Sequence, residues 1–119
     1  MSRRLLSRLA LCWGLLAAAP AGAIDDAQYQ AIRALGQLNG VALHCKFLDQ
    51  TRHMKEALVA ALPKRRALGD AFDRATDEAY LAFLRQPQAC PTPATFAEQV
   101  GRGIEALRVV FPAATPVAP

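Results

Sequence analysis

The sequence predicts an all-α protein: a small four-helix bundle stapled by one disulfide, Cys45–Cys90. Three observations lead there. Apolar residues recur every three or four positions in four successive segments, the pattern of helices that each bury one stripe. Alanine is abundant, β-branched residues are few and scattered, and no strand-like alternation persists beyond a few residues. Two cysteines remain once an N-terminal leader is set aside, and that leader directs the chain to where disulfides form.

The leader is read from its three parts. Arg3, Arg4 and Arg8 make a basic n-region, Leu9 to Ala19 is an uncharged apolar h-region, and Ala21-Gly22-Ala23 fits a peptidase site of the A-x-A type. The uncharged run from Leu9 to Ile24 is 16 residues long, whereas a membrane span needs roughly 20 apolar residues. The expected organisation is therefore a signal peptide over 1–23, cleaved between Ala23 and Ile24, a helical domain over 24–111 and a loose Pro/Ala tail over 112–119. The mature protein is expected to be periplasmic or secreted, with no membrane span. Cys12 and the only tryptophan, Trp13, leave with the leader.

Cleavage changes the charge balance. Three of the 14 Lys and Arg lie in the leader while all ten Asp and Glu remain, so the net charge of +4 falls to +1. A nucleic-acid partner, which usually demands a clear basic excess, is not expected. A domain of this size buries a modest core and gains from a covalent staple. In an oxidising compartment the isolated pair Cys45 and Cys90 is expected to bond, two free thiols being the alternative. No C-x-x-C motif is present, so thiol–disulfide catalysis has no support.

The first helix is expected from about Asp25 to His44. Asp25 and Asp26 stand at its positive dipole end, and Ala31, Leu35, Leu38, Ala42 and Cys45 form its stripe. Gly36 and Gly40 lie four apart within it, which implies close packing of a neighbouring helix, or a kink. The second helix starts near Asp49 or Thr51 and ends at Leu62, with Phe47, Thr51, Met54, Leu58 and Ala61 inward. The third runs from about Pro63, a residue suited to a first turn, to Arg85, with Leu68, Phe72, Ala75, Ala79 and Phe83 inward. On its other side Arg66, Asp70, Arg74 and Glu78 alternate in sign at intervals of four, as on a solvated face. The fourth helix is capped by Thr92 or Thr95, the run Thr95 to Glu98 fitting a capping box. Its inner face is Phe96, Val100, Ile104, Leu107 and Phe111, and Pro112 stops it. In an up-down bundle the two cysteines fall at the same end.

Residues able to carry chemistry are sparse. His44, His53 and Met54 are the candidate set for copper or haem in an exported protein. Surface histidines and a core methionine are the plainer reading, and no cofactor is expected. Asp70, Asp73 and Asp77 share one helical face and are a candidate hard-cation cluster, set against a solvated face balanced by Arg66 and Arg74. Lys64, Arg65 and Arg66 are a basic corner suited to solubility or to anionic lipid or glycan. No serine follows the leader, and Thr51, Thr76, Thr92 and Thr95 are read as capping, exposed or loop residues, so catalytic residues are expected to be none. The most suggestive stretch is Tyr80, Leu81, Phe83 and Leu84, where the end of the third helix is apolar all round. It is the candidate partner-binding surface, for another periplasmic protein or for a second copy, unless the bundle and the Cys90 loop enclose it.

With Cys45 closing the first helix, and Cys90-Pro91-Thr92 leading into the last, the layout resembles the HdeA-type acid-stress chaperones of the bacterial periplasm. A separate proteobacterial secreted family of convergent design is the alternative. The chain departs from that layout in having no tryptophan beside Cys45 and no lysine-rich ends. The resemblance implies a small exported helical fold and a chaperone-like role. The expected function is non-enzymatic protein binding, with metal or haem binding through His44, His53 and Met54 as the alternative.

Overall fold

The computed structural model describes residues 22–113, so all but the last two residues of the expected leader, and most of the expected tail, lie outside the described residues. Four helices follow in order: α1 (Asp26–Cys45), α2 (Leu48–Ala61), α3 (Arg66–Arg85) and α4 (Pro93–Val110), with no strand among the described residues.

Local chemistry sets each boundary. Asp25 caps α1 in a reciprocal box: its carboxylate accepts the Gln28 N–H at 2.8 Å, and the Asp25 N–H donates to Gln28 Oε1 at 3.0 Å. Gln28 Nε2 then donates to the Val110 carbonyl at 3.0 Å, tying the start of α1 to the end of α4. At the other end of α1 Lys46 takes the left-handed conformation (φ 63°, ψ 34°), and the Phe47 N–H donates to the Ala42 carbonyl at 2.8 Å. That is a Schellman ending built on a non-glycine residue.

One boundary differs from expectation, and at another the structure chooses between two expected caps. Pro63 does not open α3. The Arg65 N–H folds back onto the Pro63 carbonyl at 2.8 Å, and the helix begins only at Arg66. At the start of α4 the cap is Thr92, one of the two expected residues, and the Thr95–Glu98 box is not used. Thr92 caps α4 by accepting the Thr95 N–H at 3.2 Å, which places Pro93 in the first turn, where its missing N–H is no loss.

α1 is the centre of the molecule. It packs against α2, α3 and α4, and α2 packs against α4, while α3 closes directly against α1 alone. The helices alternate in direction as an up-down chain does. The pair closest together is α1 with α3, because both are small-faced where they meet. A Cβ placed on Gly36 would lie 2.6 Å from Ala75 Cβ, and one on Gly40 would lie 2.6 Å from Ala79 Cβ. The expected close packing around these glycines is thus what the helix pair does, in parallel register.

The core forms where the stripes converge. Phe96, Val100, Ile104, Leu107 and Phe111 of the fourth stripe are all buried, as are Leu35, Met54, Leu68 and Phe72. Phe47 stacks on Phe96 at 5.1 Å between ring centres, joining the start of α2 to α4. Ile32, outside the expected stripe, is also fully buried, since a central helix needs a wider apolar face than a peripheral one.

A polar relay crosses this core. Thr51 Oγ1 donates to Asn39 Oδ1 at 2.7 Å, Asn39 Nδ2 donates to Thr76 Oγ1 at 3.2 Å, and Thr76 Oγ1 donates to the Phe72 carbonyl at 2.9 Å. Three helices are joined by one satisfied network. Thr76 is therefore a buried residue, not the capping, exposed or loop residue expected from sequence.

Candidate functional site

The disulfide organises one end of the molecule. Cys45, the last residue of α1, is bonded to Cys90 in the loop between α3 and α4, with their Cα atoms 5.8 Å apart. The bond draws that loop onto the end of α1 and holds the last turns of α1 and α3 side by side. His44 sits between them, its ring centre 4.1 Å from that of Phe83 and 5.9 Å from that of Tyr80.

The apolar stretch singled out from sequence ends here, and the structure divides it. Phe83 is 7% exposed and packs under His44, so it supports the surface without forming it. Tyr80, Leu81 and Leu84 stay exposed at 37%, 47% and 50%. The Cys90 loop does not enclose them. Leu43, on the last turn of α1, adds a fourth exposed apolar residue at the same end, 38% exposed. Sequence reasoning missed Leu43. The available signal was a large apolar residue between Ala42 and His44 that belonged to no stripe. Other exposed apolar residues are Val109 on α4 and Leu48 and Val59 on α2, the last two lining a shallow groove of about 570 Å³ with Thr51, Arg52, Lys55, Glu56 and Ala60.

The candidate metal residues are not brought together. Met54 has no exposed surface and belongs to the core, whereas its neighbour His53 is exposed, so the two side chains point to different sides of α2. His44 is on a different helix, against two aromatic rings. Asp70, Asp73 and Asp77 are exposed on α3, and among the described residues no group of three or more His, Cys, Asp or Glu is placed to hold a metal ion.

A groove of about 570 Å³ runs between α1 and α3. Tyr29 and Arg33 wall it from α1, Asp70, Arg74 and Glu78 from α3, and alanines make its floor. The Arg33 guanidinium lies 6.0 Å from the centre of the Tyr29 ring, at the outer limit of a cation–π contact. Charges of both signs face this groove, and it holds no hydroxyl or thiol nucleophile beyond the Tyr29 phenol.

No protein-family model, no curated protein and no solved structure matches the chain. The geometry of the disulfide-closed end is what a functional reading rests on.

Proposed function

We propose that this is an exported, non-enzymatic protein-binding module that holds apolar segments of other proteins on the end of α1 and α3. A chaperone-like role is the specific form of that reading. One observation carries it: Leu43, Tyr80, Leu81 and Leu84 are exposed together at the end that the Cys45–Cys90 bond closes. Contiguous apolar residues left uncovered on a small domain mark interaction surfaces. The bond also suits an oxidising compartment, which the basic and apolar N-terminal segment addresses.

Light scattering of an aggregating client protein tests the proposal, at neutral pH and at about pH 3, where ordinary carboxylates are mostly protonated and the protein turns strongly cationic. The wild-type protein suppresses aggregation in at least one condition, and the double variant Leu81→Glu/Leu84→Glu, with unchanged helix content, does not. Equal suppression by both proteins, or none by the wild type, ends this reading.

A further inference from the structure

We propose that α3 is a self-association surface, pairing antiparallel with α3 of a second copy of the chain through Arg66, Asp70, Arg74 and Glu78. All four side chains are exposed, stand one helical turn apart and alternate in sign. Read backwards, the order of signs is inverted. A twofold contact centred at the level of Phe72 therefore sets Arg66 against Glu78 of the second copy and Asp70 against its Arg74. Symmetry repeats both, giving four opposite-charge pairs from one ladder. Sliding the second helix by one turn in either direction places like charges face to face, so the ladder also fixes the register.

Three features of the fold leave these charges available. None of the four is joined to another of them, although their spacing suits pairing along the helix; among the described residues the ion pair formed is Arg108–Glu105, at 3.6 Å. α3 is seated against α1 alone; Asp70, Arg74 and Glu78 border the open α1–α3 groove, whose other wall is Tyr29 and Arg33, and Arg66 stands outside it. Small residues flank the ladder, and a Cβ added at Gly69 would meet nothing within 4 Å, which leaves room for a second helix. Asp77 falls opposite Ala67 of the second copy, beside its Arg66, and Asp73 lies on the flank of the contact, so neither opposes the pairing. Leu81 and Leu84 fall past the first helical residue of the second copy, so the apolar end of each protomer stays open and the dimer carries two of them.

Such a contact is weak and salt-sensitive. Exposed ion pairs contribute little individually and are screened as ionic strength rises. One helix about 30 Å long builds an interface at the small end of the specific range.

Sedimentation equilibrium of the purified, disulfide-bonded protein decides the matter. At low salt the wild type forms a dimer that weakens as salt is raised. Arg74→Asp alone, or Asp70→Arg alone, sets like charges opposite each other and weakens the dimer about tenfold or more. The double exchange Asp70→Arg/Arg74→Asp restores it. An equimolar mixture of the two single variants forms a heterodimer, since the second aspartate of one copy then meets the second arginine of the other. Circular dichroism confirms that each variant keeps its helix content. A wild type that is monomeric at about 1 mM in low salt, a dimer indifferent to either single reversal, or single variants that fail to pair on mixing, overturns the proposal.

Discussion

Replacing Gly40 by alanine sets two effects of opposite sign against each other. In an exposed helix interior the change stabilises by about 0.5–1 kcal/mol, because alanine is the better helix former. Here the new Cβ would lie 2.6 Å from Ala79 Cβ, 2.7 Å from the Thr76 carbonyl oxygen and 2.8 Å from the Tyr80 nitrogen. Two of these atoms are backbone and the third is an alanine methyl, so no rotamer change relieves the overlap. Ordinary carbon contacts begin near 3.5 Å, so α3 must retreat by roughly 1 Å, and a gap of that size forfeits about a quarter to a half of each dispersion contact along the seam. Overpacking of this kind costs about 1–3 kcal/mol, and the absence of any movable partner places Gly40→Ala at the upper end. Subtracting the propensity gain leaves a net loss of about 2 kcal/mol, or roughly 8–16 °C in melting temperature for a domain this small. Gly69→Ala is the matched control, since its Cβ enters open space, and it gains about 0.5–1 kcal/mol. Heat and urea unfolding of the oxidised proteins, followed by circular dichroism, measures both. If Gly40→Ala were as stable as Gly69→Ala, the close glycine-mediated seam between α1 and α3 would be refuted.

Other perturbations follow from the same geometry. Asn39→Ala leaves the Thr51 hydroxyl without its 2.7 Å acceptor and removes the donor to Thr76; urea unfolding should show a loss of about 1–3 kcal/mol. Reducing the Cys45–Cys90 bond frees a loop set by a sequence separation of 45, which the chain-entropy model values at about 4 kcal/mol. Calorimetry with and without dithiothreitol should show a fall of about 15 °C or more. Lys46→Gly relieves a left-handed residue at φ 63° and should raise stability by about 0.5–1 kcal/mol in the same unfolding assay.

Periodicity made the helices and most of the core legible in the sequence. The fourth stripe, from Phe96 to Phe111, is buried at every expected position because a peripheral helix shows its neighbours a single face. The cysteine pairing was equally legible, from the leader and from two cysteines remaining. What escaped was set by neighbours. Ile32 is buried because α1 is surrounded, and no single-helix pattern reveals that. Asn39 and Thr76 look like surface residues until each supplies the other's hydrogen bond across two helices. Pro63 matches a helix-start rule, yet the chain spends Lys64 and Arg65 turning the corner first. At the candidate site Tyr80, Leu81 and Leu84 were legible as an apolar run. The inward turn of Phe83 was legible too, from its place on the α3 stripe, whereas the contribution of Leu43 depends on where α1 ends, which the sequence around α3 does not encode.

The claim that the disulfide-closed end binds other proteins is tested most directly by site-specific photo-crosslinking. A photoreactive phenylalanine analogue placed at Leu81, and separately at the exposed Val59 on α2, is irradiated with a partly unfolded client present. Client adducts should form at position 81 and remain at background at position 59. Equal labelling at the two positions, or none at 81, would contradict the assignment.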